Sequence, residues 1–150
     1  MLYTGILDIH AFGMTAAFVL FLAGELLLAA GVHGAARPAR LALSVSRIGN
    51  LFVTIGIVAG LALVYLGGWP LTAPWLLLSF ALIAALMVVN RRLVRPWEEK
   101  FQAAVADGTQ ADLGALAGDR KALVGRLTVI ALFALVAAVM IVKPELALTA

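Results

Sequence analysis

The sequence predicts an all-α, polytopic membrane protein: a four-transmembrane-helix bundle with a short amphipathic surface helix in its third loop. Two observations lead there. Hydrophobic residues make up 64% of the 150-residue chain and charged residues only 13%, whereas soluble domains are about half apolar and a quarter charged. The apolar residues also fall into four runs, at about 6–32, 48–66, 74–90 and 123–142. A helical span needs about 20 apolar residues at ~1.5 Å rise each. The runs are spread over the whole length, so 1–150 reads as a single integral membrane domain.

The first run, Ile6–Val32, is interrupted by Asp8, His10 and Glu25. Ionisable groups are costly in hydrocarbon, so each is expected to face protein or water rather than lipid. No Lys or Arg precedes the run, and it is too long for the core of a signal peptide, which argues against cleavage. Backbone groups in lipid must be satisfied internally, and the lack of strict alternation favours helices over a barrel. Pro74 suits the first position of the third helix, where a missing N–H costs nothing.

Charge placement gives an expected orientation. Arg37, Arg40 and Arg47 lie in or beside the first loop. Arg91, Arg92, Arg95, Lys100, Arg120, Lys121 and Arg126 lie in or beside the third, and Lys143 alone falls on the opposite side. The positive-inside rule then places loops one and three in the cytoplasm and both termini outside, in a cell inner (plasma) membrane. Trp69 and Trp75 flank the second loop, at the expected interface. The +3 net charge thus reads as orientation rather than nucleic-acid binding. The third loop, 91–122, carries Trp97, Phe101, Ala104 and Val105 at helical spacing, with Asp107-Gly108 to end the helix. The pattern predicts a helix lying on the inner membrane surface, with partner binding as the alternative.

The chain has no cysteine, so disulfides, thiolate metal sites and cysteine nucleophiles are excluded. Motifs of soluble enzymes are absent: there is no Walker loop, GxSxG or HExxH. Three sets of residues remain. Gly56 and Gly60 form a GxxxG pair with Gly49 on the same side, and Gly13, Ala17, Gly24 and Gly31 form a stripe on helix 1. Such residues let helices approach closely in lipid, within the bundle or in a homodimer. His10, Met140 and Tyr65 share a depth, with Asp8, Met14 and Lys143 nearby. Imidazole with a thioether is an axial pair for haem iron, and with a carboxylate it could take copper. A histidine hydrogen-bonded at the headgroup level is the plain alternative. His33 lies 23 residues from His10, ~34 Å along one helix, so the two cannot share one iron within a subunit. It reads as a helix-end loop residue. Glu25, with Arg47, Asn50, Asn90 and Arg126, belongs to the other half of the bundle. Glu25 is expected to pair with Arg47 or Arg126, either to fix helix register, as a proton relay, or at a site for an anionic headgroup or propionate. On a wheel of ~100° per residue, His10, Phe21, Glu25 and Leu28 fall within about 60° of one another.

Four features carry a family resemblance: His10 near the start of helix 1, SRIGN (Ser46–Asn50), the GGWPLTAPW turn and the closing MIVKP (Met140–Pro144). Together they resemble the small four-span membrane proteins of the copper-resistance D and J-type protoporphyrinogen oxidase superfamily. In the J-type oxidases the early histidine is associated with haem, which implies His10 here, and their terminal lysine corresponds to Lys143. The aromatic, Arg-containing stretch of those oxidases is replaced here by LFLAGELLLAAG, so the chain is most similar to an uncharacterised branch. With the residue reading, the resemblance gives the leading expectation: a haem-associated membrane protein, redox or porphyrin-related, with His10 as iron ligand and, from the imidazole–thioether pairing, Met140 or Met14 as second ligand. Two alternatives stand beside it: an accessory subunit packing in a larger membrane complex, and permeation of metal or small ions past His10, Met14 and Glu25.

Overall fold

A computed structural model describes residues 1–31, 36–108 and 110–143. Among them the chain is helical and has no strand. The helices are α1 (Leu2–Gly31), α2 (Ala36–Leu66), α3 (Pro74–Val89), α4 (Arg95–Asp107), α5 (Gln110–Ala117) and α6 (Arg120–Val142), with a π-helical segment, Asn90–Val94, joining α3 to α4. Four helical rods are long and apolar enough to cross a membrane: α1, α2, the continuous stretch Pro74–Asp107, and α6. Their outward faces carry many exposed Leu, Ile, Val and Phe side chains, as lipid rather than water requires.

The four rods pair off. α1 packs along α2 for most of its length, and α3 packs against α6, while contacts between the two pairs are few. Small residues allow the first pairing. At Gly13 a Cβ would lie 3.4 Å from the Phe52 carbonyl oxygen and 3.7 Å from the Gly56 nitrogen, so backbone approaches backbone there. Phe12 meets Phe52 edge-on beside this crossing. Between the pairs, Phe18 and Phe21 of α1 reach Phe133 of α6, with ring centroids 6.0 and 6.2 Å apart.

The start of α2 and the covering of the third-loop helix differ from the sequence expectation. α2 begins at Ala36 rather than near Ile48, so Arg37 and Arg40 lie on a helix instead of in a loop, and Arg47 lies about three turns inside the helix rather than at its mouth. The added turns are held by packing: Ala39, Ala42 and Leu43 join a buried cluster with Leu28, Trp97, Phe101, Ala104, Leu113, Ala117 and Ala122. The expected amphipathic helix of the third loop is α4. Its apolar stripe packs into this cluster, with Phe101 only 1% exposed, so tertiary burial rather than a lipid surface covers it. α5 has no counterpart among the sequence expectations; the Trp97 indole ties it in by donating to the Leu116 carbonyl at 2.8 Å. Together α4 and α5 cap one end of the bundle.

Local chemistry explains the joints. Pro96 lacks an N–H and would clash with the carbonyl four residues earlier in a regular α-helix. The wider π turn ahead of it relieves this, with the Arg95 N–H reaching Asn90 O. α4 ends where Gly108 takes a left-handed conformation at φ 71°. α6 starts at Asp119, whose carboxylate accepts from the Lys121 and Ala122 N–H groups. Pro74 occupies the first turn of α3.

Candidate functional site

Between the two helix pairs, next to the capped end, lies a cleft of about 280 Å³. Most of its wall is apolar and includes Ile57, Ile83, Leu86, Ile130 and Val136; Phe21, Trp97, Phe101 and Phe133 supply aromatic faces. Its polar groups are Glu25, Ser46, Asn50, Asn90, Glu98 and Arg126. Asn90 belongs to the π segment, so the same irregular turn that accommodates Pro96 also forms cleft wall. π segments interrupting long helices recur at functional sites.

At the polar end the Arg126 Nε–H donates to Glu25 Oε1 at 2.7 Å. The side chains are 7% and 17% exposed respectively. A charge this buried requires a partner, and α1 and α6 supply each other's. The Arg126 guanidinium also stacks over the Trp97 ring, 4.2 Å from its centroid, which binds the cap to the ion pair. One buried donor atom is left without a hydrogen-bond partner: Arg126 Nη1. Nearby, the Ser46 hydroxyl donates to Glu98 Oε1 at 3.4 Å, a long bond between α2 and α4.

Of the expected inner cluster, then, Glu25 and Arg126 meet. Arg47 is exposed on α2 and forms no ion pair among the described residues. Helical phase is the reason: Gly49, two positions on from Arg47, is the residue that faces α1, where a Cβ would fall 2.9 Å from the Phe21 ring.

The expected outer set is divided. The His10 ring lies between α1 and α2. A Cβ at Gly60 would come within 2.9 Å of its Cε1, and its Nδ1 is 2.7 Å from the Gly56 carbonyl oxygen. A carbonyl only accepts, so Nδ1 carries the hydrogen, and in the neutral ring Nε2 keeps its lone pair. Met14, one turn further along α1, rests its sulfur against Gly56. His10 does not line the cleft, whereas Met14 does. Tyr65 is 86% exposed, Asp8 is exposed and Met140 is half-buried. Lys143 takes a left-handed backbone conformation at the end of α6, with its ammonium 4.6 Å from the Trp69 ring centroid and 5.6 Å from that of Trp75. His33 and Pro144 lie outside the described residues. No group of three or more His, Asp or Glu side chains able to hold a metal ion occurs among the described residues.

The glycines also separate. Gly13, Gly49, Gly56 and Gly60 each meet a partner across the α1–α2 contact. Gly24 does not: it is buried, but a Cβ there would have nothing within 4 Å. It forms part of the cleft wall. Its place in the helix 1 stripe suggested helix packing, and periodicity alone could not distinguish a contact from a void. The cleft as a whole escaped the sequence reading, because its wall draws on α1, α2, α3, α4 and α6.

Residues 6–144 match the model of a family described as "Predicted integral membrane protein (DUF2269)". No curated protein and no solved structure matches the chain.

Proposed function

For a chain that belongs to this family of predicted integral membrane proteins, we propose a binding function: the cleft admits a small lipid-soluble molecule from the bilayer. One observation carries the reading. The bundle leaves about 280 Å³ open between its helix pairs, where close packing is the rule, and it sets a buried ion pair at one end of that space. An apolar wall with a few convergent polar groups is the usual form of a ligand site. The loop charges support an orientation with the polar end toward the cytoplasm and both termini outside, in the plasma membrane.

The test is retention of ligand. Wild-type protein and Gly24→Leu are extracted in mild detergent, and bound small molecules are identified by mass spectrometry. Gly24 offers room for a side chain without a backbone clash, so the variant fills the cleft. A molecule retained by the wild type and lost from Gly24→Leu supports the reading. Identical small-molecule content in both refutes it.

A second reading is association with haem through His10, in line with the resemblance to the copper-resistance D and J-type oxidase superfamily. The bond from Nδ1 to Gly56 O favours it, because such bonds orient ligating imidazoles and direct the free nitrogen outward. Donor chemistry at His10 therefore fits an axial ligand. Met14 does not fit as the opposite ligand: it lies one turn along the same helix, so both atoms would approach an iron from one side. A Soret band in the purified protein, lost in His10→Ala, is the expected result; a flat visible spectrum from protein made with ample haem rules the reading out. An accessory subunit would have to use faces other than Gly13, Gly49, Gly56 and Gly60, which meet partners within the chain.

A further inference from the structure

Resting on the binding function proposed above, we propose that the occupant of the cleft is a lipid-soluble quinone: an uncharged planar ring with carbonyl oxygens and an apolar tail. Three features of the site select this chemistry.

The first is the unpartnered donor. Arg126 is 7% exposed, its Nε is engaged by Glu25, and its Nη1 meets neither solvent nor an acceptor. A buried donor without a partner carries a desolvation cost that an acceptor brought by a ligand removes. Arg126 belongs to the cleft wall, so an acceptor that enters the cleft arrives beside its guanidinium.

The second is charge. The ionisable cleft residues are Glu25, Glu98 and Arg126, with formal charges −1, −1 and +1, which sum to −1. The single cation already has its carboxylate at 2.7 Å. A phosphate or carboxylate headgroup would enter beside two like charges in a poorly solvated space, at high electrostatic cost. A neutral carbonyl accepts from Nη1 without that cost.

The third is shape. Four aromatic side chains, Phe21, Trp97, Phe101 and Phe133, line the space. Flat π faces favour a flat ring, offset-stacked or edge-on. Trp97 is itself stacked on Phe101, with centroids 4.9 Å apart, and lies under the Arg126 guanidinium, so it is held rigidly and offers a bound ring its edge. The cleft's ~280 Å³ suits a substituted six-membered ring; the apolar wall toward Ile57, Ile83 and Val136 continues the path of a tail.

The test uses the full chain in lipid nanodiscs, with Trp69→Phe and Trp75→Phe introduced so that Trp97 is the remaining indole. Four probes are titrated while Trp97 emission is followed: a decyl-substituted benzoquinone, dioctanoylglycerol, dioctanoyl phosphatidic acid and decylbenzene. Each is run on the parent, on Arg126→Lys and on Gly24→Leu. Arg126→Lys keeps a cation for Glu25 but removes Nη1. The expected result is saturable quinone binding that weakens about tenfold or more in Arg126→Lys, the loss of one charge-assisted hydrogen bond. Decylbenzene binding, which uses only the wall, stays unchanged in that variant. Equal quinone affinity in parent and Arg126→Lys overturns the quinone assignment, and so does tighter binding of dioctanoylglycerol or phosphatidic acid. Either outcome leaves the binding function standing. Failure of every probe to respond to Gly24→Leu overturns the binding function and the assignment together.

Discussion

Removing the carboxylate of Glu25 is the sharpest probe of how this bundle is held together. In Glu25→Ala the Arg126 guanidinium stays 93% buried, as its 7% exposure implies, and loses the acceptor of its Nε–H. Breaking a buried pair by deleting one partner costs ~3–5 kcal/mol, most of it the penalty of the stranded charge. The stacking on Trp97 at 4.2 Å survives and holds back ~1 kcal/mol, so the lower end, ~3 kcal/mol, is expected. Replacing both groups, in Glu25→Ala/Arg126→Met, removes the stranded charge and leaves an apolar contact. That double variant should unfold within ~1 kcal/mol of the wild type, since apolar replacement of a buried pair is often neutral. Reversible unfolding in mixed micelles with rising dodecyl sulfate, followed by far-ultraviolet circular dichroism, measures both variants against the wild type. A single variant within ~0.5 kcal/mol of the wild type, or a double variant worse than Glu25→Ala, would refute the assignment of this pair as the main polar tie between the helix pairs.

The same assay reads three further substitutions. Gly24→Ala should stabilise the protein by ~0.5–1 kcal/mol, because a helical glycine is replaced where a Cβ meets nothing within 4 Å; destabilisation would mean that α1 is in contact there. Gly125→Ala should destabilise by ~1–3 kcal/mol, since its Cβ would fall 2.7 Å from the Cβ of Leu93, an atom fixed to the π segment. Trp97→Phe keeps the aromatic body and loses the 2.8 Å bond to Leu116 O, at a cost of ~1–3 kcal/mol for the orphaned carbonyl; faster amide exchange confined to α5 would confirm that this bond anchors the cap.

Hydropathy made the rods legible, because lipid leaves a helix no choice but to satisfy its own backbone. It also overshadowed what lies beyond the bilayer. The start of α2 was hidden because Arg37 and Arg40 look like loop residues, whereas Ala39 and Leu43 between and after them face the cap. Periodicity revealed α4 through Trp97 and Phe101, but it is silent on what covers such a stripe. For Glu25 the sequence offered two arginines at the right depth. Choosing Arg126 over Arg47 depends on the relative rotation of α1, α2 and α6, which one sequence does not contain. His10 was visible as a costly residue, and its acceptor was not, since backbone carbonyls have no letter of their own.

The distance along the chain between Glu25 and its partner bears on biogenesis. Arg126 is 101 residues downstream. At ~5–20 residues per second of synthesis, Glu25 waits about 5–20 s after its own translation before its counter-charge exists. His10 has no such wait beyond α2, because Gly56 lies only 46 residues on. The first hairpin can therefore settle early at one end while its other end holds an acid with nowhere to go. The last helix to emerge completes the first, and a nascent chain cut short before α6 carries an exposed signal of its own incompleteness.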